Sequence, residues 1–298
     1  MTTNDAAKTQ VLNRPADQTS TSDFPGFSAG SSAQTQVLEP TRLGRVATSG
    51  LTRRFASVEP TNIIIAADCS SSVHGSMDSI NAGLAGIKSS ICKDPVSGQT
   101  AHVSVISFSS EVKVWRLRDQ DSSQGLDEVD AAFVPAAEMP EVVLRAKGAT
   151  HLNDAILKAV ELEREQVHRQ VRLHGQNPRR SLLIILSDGA DYPGKNIDAA
   201  AAALSTAVAK GKIKVMFLGF GDYKPEIAER LAGSDGWFAA DDGASIDDFL
   251  ELAGKYARVL SSEEPGKVPA VGTKVGTPDS PIRFCSPAGM TLREYLAS

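Results

Sequence analysis

Asp68, Ser70 and Ser72 follow directly on the apolar run Ile63–Ala67, so one carboxylate and two hydroxyls leave a buried segment together. A hard divalent cation such as Mg²⁺ asks for a near-octahedral shell of oxygens at about 2.0–2.1 Å and retains waters where protein oxygens are few. Two further segments carry matching chemistry. Gly148-Ala149-Thr150 opens a helical stretch, and the apolar run Leu182–Leu186 ends on Ser187-Asp188-Gly189. Ser70, Ser72 and Thr150 are neutral, so an ion that they bind directly keeps much of its charge and draws an external carboxylate to an open position. That chemistry suits binding rather than turnover. Taken singly, each segment is an ordinary turn or helix cap. Their order, each where an apolar run ends, is what points to a metal site at Asp68, Ser70, Ser72, Thr150 and Asp188.

These residues need a scaffold that brings three loops to one place. Continuously apolar runs such as Leu182–Leu186 mark parallel strands covered on both faces. The pattern predicts strands over 62–67, 102–108, 112–117, 181–187, 213–219 and 236–239. Helices are expected over 77–91, 152–171, 199–209, 225–232 and 246–259, with one short helix inside 118–147. Only Ser109-Ser110-Glu111 separates the second and third strands, which should therefore pair antiparallel at one edge. The expected class is α/β: a doubly wound, mostly parallel sheet with one antiparallel edge strand and helices on both faces. Ligands of such sheets bind outside the carboxyl ends of the strands near the switch point of strand order, where Asp68 and Asp188 are expected.

The pattern D-x-S-x-S, then a distant Thr, then an Asp at a strand end, resembles the metal-ion-dependent adhesion site of von Willebrand factor A (VWA) domains at Asp68, Ser70, Ser72, Thr150 and Asp188. The likeness runs over roughly residues 60 to 258. Ile80-Asn81-Ala82-Gly83-Leu84, His102–Phe108 and Leu186–Gly189 are most similar to bacterial intracellular VWA proteins of the tellurium-resistance type. Ala149 stands where many relatives carry a second Gly, and it is small enough to keep the loop. The resemblance implies that Asp68 and Asp188 act largely through waters or hydrogen bonds that orient the hydroxyls. It also implies Mg²⁺, with Mn²⁺ fitting the same shell. The function it implies is a non-catalytic adaptor in a bacterial stress-response or Ser/Thr phosphorylation signalling complex, whose protein partner supplies an Asp or Glu to the metal. A Mg²⁺-dependent phosphatase of the haloacid-dehalogenase class is the enzymatic alternative, but its second Asp is replaced here by Ser70. A scaffold that does not use the metal is the third reading.

Composition narrows the partners. Among 298 residues, 31 Lys and Arg against 36 Asp and Glu leave a net charge of −5, which argues against nucleic acid. No apolar stretch approaches the roughly 20 residues of a membrane span, so a cytoplasmic protein without membrane insertion is expected. Cys69, Cys92 and Cys285 form no C-x-x-C pair and no disulfide framework. His74 and His151 flank the ligand loops and read chiefly as solvated loop residues.

Residues 1–54, rich in Ser, Thr and Gln, read as a disordered tail, 58–260 as the VWA domain, and 261–298 as a linker and tail with scattered apolar residues near its end. The amino-terminal tail repeats Thr-Gln-Val-Leu at Thr9 and Thr35. Threonine with an aliphatic residue three positions on resembles the phosphothreonine ligands of forkhead-associated (FHA) domains. Phosphorylation at Thr9 and Thr35 would add about −1.5 to −2 charges each, and two sites on one tether would act bivalently. A Ser/Thr kinase, a phosphatase and an FHA-domain protein are the implied partners of this tail.

Overall fold

A computed structural model of the chain describes residues 59–175, 178–189, 197–233, 236–240, 243–261 and 282–285. The amino-terminal tail, with Thr9 and Thr35, lies outside the described residues, as does most of the carboxyl-terminal one. The chain forms β1 (Thr61–Asp68), a 3₁₀ turn (Ser71–Ser76), α1 (Met77–Ile91), α2 (Pro95–Thr100), β2 (Ala101–Phe108) and β3 (Val112–Val114). It continues with α3 (Glu128–Ala132), β4 (Val134–Pro135), a 3₁₀ turn (Ala136–Glu138), α4 (Leu152–His174), β5 (Ser181–Ser187) and α5 (Asp198–Ala209). Then come β6 (Ile213–Phe220), α6 (Pro225–Ala232), β7 (Trp237–Ala240), α7 (Gly243–Ser261) and β8 (Ile282–Cys285).

The sheet runs β3-β2-β1-β5-β6-β7-β8. From β1 the chain first adds β2 on one side and later β5 on the other, both parallel to it. The switch point of strand order therefore lies between β1 and β5, where Asp68 and Asp188 emerge. β3 is the expected antiparallel edge strand. The sheet gains two further short antiparallel strands, β4 against β2 and β8 against β7. β8 falls within the segment read from sequence as linker and tail.

Alternation along the strands divides the core into two layers. Ile63, Ile65, Val103, Val105 and Ile184 meet α1 and α7, while Ile64, Ala66, Ile106, Leu183 and Ile185 meet α4, α5 and α6. All eight residues of β1 are buried, as a central strand covered on both faces requires. At the amino ends of the strands, polar groups satisfy one another. Gln170 Nε2 donates to Asn62 Oδ1 at 2.9 Å and lies 3.1 Å from His102 Nδ1, while Asn62 Nδ2 donates back to Gln170 Oε1 at 3.0 Å.

Among the differences from expectation are two boundaries and one additional helix. The third strand ends at Val114 rather than 117, because the chain turns beyond Trp115 and Arg116 there holds Asp119 with its Nε on the carbonyl and its guanidinium on the carboxylate. α4 runs on to His174 and stops at Gly175, whose φ of 68° is the left-handed conformation of a helix end. The short helix α2 was not anticipated, although Asp94 caps it, accepting from Val96 N and Ser97 N, with Pro95 at its first turn. Among the described residues, no helix is long and apolar enough to cross a membrane.

α1 and α7 approach closely through glycines. A Cβ on Gly254 would stand 2.7 Å from Ser90 Cβ and 3.2 Å from the Ile87 backbone, whereas one on Gly86 would meet nothing within 4 Å. Gly254→Val should therefore destabilise the fold by about 2 kcal/mol or more. Gly86→Ala should stabilise it by up to about 1 kcal/mol through helix propensity. Urea denaturation of the two variants checks both signs.

Candidate metal centre

The three loops meet through backbone and side-chain hydrogen bonds. Cys69 N–H donates to Phe108 O at 2.7 Å, Lys147 N–H to Cys69 O at 2.7 Å, and Ser71 N–H to Gly148 O at 2.9 Å. Ser71 Oγ returns the last contact by accepting from Gly148 N–H at 3.1 Å. The loop of Asp68, Ser70 and Ser72 is thus tied to the one that carries Thr150. Gly148 takes a φ of 86°, and a Cβ there would lie 2.3 Å from Ser110 Oγ, the group that accepts from Ala149 N–H at 2.9 Å. A residue with a side chain at this position would push the Thr150 loop away.

The third loop joins through β5. Ser187 Oγ donates to Asp68 Oδ2 at 2.8 Å and accepts from Gly189 N–H at 3.0 Å. Asp188 O accepts from Lys224 N–H at 3.1 Å. Gly189 has a φ of 68°, and a Cβ there would meet Lys224 N at 3.2 Å, so this turn also demands glycine.

Within the cradle, Ser70 N–H donates to Asp68 Oδ1 at 2.8 Å, and the hydroxyls of Ser70 and Ser72 lie 2.9 Å apart. Asp68, Ser70, Thr150 and Asp188 are buried, whereas Ser72 is exposed. One hydroxyl thus faces solvent at the mouth while a carboxylate sits fully inside. Ser187, Ser71 and Ser110 were not singled out as site residues. Ser187 carried a signal, as a polar residue closing an apolar strand; Ser71 and Ser110 act through loop contacts that no spacing foretells.

Asp68 is strongly perturbed. Burial is the largest influence and pushes its carboxyl up from 3.8 to about 6; hydrogen bonds from Ser70 and Ser187 pull the other way, and the neighbouring Asp188 adds repulsion. Among the described residues, no basic side chain adds to these influences. Glu163 makes a useful contrast: it is also a buried carboxylate raised by desolvation, but it accepts from Ser181 Oγ at 3.0 Å and feels the positive charge of Lys212. Among the described residues, Asp68 has no such counter-charge.

The donor set fits a hard cation. Among the described residues, no group of three or more His, Cys, Asp or Glu side chains is arranged to hold a metal. An ion here would therefore depend on hydroxyl oxygens, with the two carboxylates behind them. Cys69 sits inside the turn, yet burial pushes its thiol up to about 12, so it stays protonated and is no nucleophile at neutral pH. His74 is exposed, and His151, preceding α4, has Nδ1 3.7 Å from Asp154 Oδ2. A groove of about 840 Å³ beside Glu165, His168 and Arg172 contains none of the five predicted residues.

Comparison with known proteins agrees with this architecture. Residues 62–252 match the family described as von Willebrand factor type A domain, and the chain belongs to that family. Comparison with the curated proteins finds no match. Among solved structures it is similar to a von Willebrand factor type A protein from Catenulispora acidiphila, with 17% identity, TM-score 0.47, and 67% of this chain and 43% of that one covered. It is also similar to proximal thread matrix protein 1 from the mussel byssus, with 16% identity, TM-score 0.48, and 68% and 48% covered. A third is the manganese-loaded TRAP protein of Plasmodium vivax, with 17% identity, TM-score 0.43, and 66% and 74% covered. The chain spans less than half the length of the first two.

The raised Asp68 value makes a signed prediction for the metal-free protein. An unfolded chain releases this proton near 3.8 and the folded chain near 6. Between those values the folded state binds more protons, so stability falls as pH rises through the window. In chelator, Asp68→Asn should match wild type near pH 4 and exceed it by on the order of 3 kcal/mol at pH 7.5. Urea denaturation across this range measures the difference; a gap that does not change with pH contradicts the burial penalty.

Proposed function

We propose that the chain is a non-catalytic, divalent-cation-dependent protein-binding module. Ser70, Ser72 and Thr150 would hold Mg²⁺ or Mn²⁺ directly, and Asp68 and Asp188 would support it through waters and hydrogen bonds. The observation that carries this reading is the buried Asp68 carboxylate, set beside Asp188 with no basic side chain among the described residues to offset it. A bound dication supplies the missing positive charge. Because the hydroxyls are neutral, the ion remains electron-poor and attracts a carboxylate from another molecule.

The residues of this chain account for the rest. Ser187 and the Ser70 N–H fix both oxygens of Asp68, which orients the carboxylate before any ion arrives. Gly148 and Ser71 lock the Thr150 loop onto the Ser70 loop. Phosphatase chemistry would need a proton shuttle two residues after Asp68, and Ser70 there is a poor acid or base at neutral pH. A protein partner bearing Asp or Glu fits the site better than a reacting phosphate ester.

The sequence supports a setting in a bacterial stress-response or Ser/Thr phosphorylation complex, through the tellurium-resistance-type likeness and the repeated Thr-Gln-Val-Leu. In that setting Thr9 and Thr35 are kinase targets recognised by an FHA-domain protein and reset by a phosphatase. Phosphate mapping by mass spectrometry after incubation with a bacterial Ser/Thr kinase should find both threonines modified; modification confined to other residues removes this part.

The metal reading has its own test. Calorimetry should show one Mg²⁺ or Mn²⁺ bound per chain, with affinity reduced roughly 10–100-fold or more in Asp68→Ala and Asp188→Ala. The same variants, or chelator, should abolish partner capture while circular dichroism remains unchanged. Capture that survives both would refute a metal-mediated contact.

A further inference from the structure

Two lysines stand against the cradle on opposite sides. Lys147 N–H donates to Cys69 O, within the loop of Asp68, Ser70 and Ser72, and Lys224 N–H donates to Asp188 O. Lys147 adjoins the loop that Ser110 ties to the β2 side, and Lys224 follows β6. Along the sheet, the site is therefore bracketed by the backbone of one lysine toward β2 and of another toward β6.

Both side chains are exposed, and neither takes part in an ion pair among the described residues. Several other cations of the domain are engaged. Arg116 pairs with Asp119, Lys158 with Glu128, Arg169 with Asp130 and Lys255 with Glu251, while Lys113 lies 4.1 Å from the centre of the Trp115 ring. Lys147 and Lys224 are thus left with charge to spare among the described residues. Glu111 and Asp222 are exposed at the same end of the sheet. They set a limit on the partner, since a long polyanion would meet them.

We infer that the ligand of this face is a short acidic peptide segment in which a central Asp or Glu addresses the metal and flanking acids pair with Lys147 and Lys224. The inference rests on the metal reading for its central contact and adds the class of partner. Its geometry follows from strand spacing. Two to three strand intervals at about 4.8 Å separate the flanks by roughly 10–15 Å, and an extended chain rises about 3.3 Å per residue. Acids two residues on either side of the central one reach both lysines. The pattern is acid-x-acid-x-acid.

The test uses the full chain and two fluorescent heptapeptides, Gly-Glu-Gly-Glu-Gly-Glu-Gly and Gly-Gln-Gly-Glu-Gly-Gln-Gly, by anisotropy in Mg²⁺ at low salt. The three-acid peptide should bind about tenfold more tightly to wild type, as two exposed charge pairs allow, and the advantage should shrink as salt rises. Lys147→Gln/Lys224→Gln should erase the advantage while leaving Mg²⁺ uptake and binding of the single-acid peptide unchanged. Equal affinity of wild type for the two peptides, or an advantage that persists in the double variant, overturns the inference. Lysine-dependent preference without Mg²⁺ uptake would refute the metal reading and leave the lysine bracket supported. Mg²⁺ uptake without the preference does the reverse.

Discussion

A carboxylate buried without a counter-ion among the described residues is the constraint around which this fold is arranged. Asp68 ends the central strand, fully enclosed, next to a second acid, and is served only by hydrogen bonds from Ser70 and Ser187. Removing a charged group from water is costly unless something restores its solvation. Most proteins place a basic side chain beside such a group, as this one does with Lys212 near Glu163. At Asp68 the surrounding groups are amides and hydroxyls. The position is therefore suited to a mobile charge, which under the proposed function the folded chain would acquire from solution.

The scaffold explains why those groups converge. Reversal of strand order between the parallel strands β1 and β5 leaves a crevice at their carboxyl ends, and the loops after both strands open into it. Tight packing of α1 on α7 through Gly83 and Gly254 holds one layer against the sheet, and α4 covers the other. At the opposite end of the strands, Asn62, His102 and Gln170 satisfy one another internally. The two ends of one sheet are thus chemically unlike: one closes its polar network within the protein, and the other presents an incomplete set of oxygens at the surface.

Much of this was legible in the residues. Strands such as Leu182–Leu186 carry uninterrupted apolar side chains, so their burial on two faces, and hence the parallel sheet, follows directly. Asp68, Ser70 and Ser72 were recognisable from spacing, and their link to Gly148-Ala149-Thr150 appears as hydrogen bonds between those loops. Short elements were harder. α2 and β4 are too brief for a period to develop, and β8 lies among Pro, Gly and Thr residues where sequence reads as a linker, so its pairing depends on an edge that only the folded β7 provides. Ser110 and the flanking lysines escaped notice for a related reason: their roles arise from contacts between segments distant in the chain.

The central claim is that neutral hydroxyls at this switch point grip a dication whose charge the buried Asp68 carboxylate requires. Anomalous diffraction at the manganese edge, from crystals grown in manganese, tests it most directly. A single strong peak at bonding distance from the hydroxyls of Ser70, Ser72 and Thr150, with Asp68 and Asp188 behind it, is the predicted result. A map with no peak in this cradle, or with manganese only at surface carboxylates elsewhere, would contradict the account.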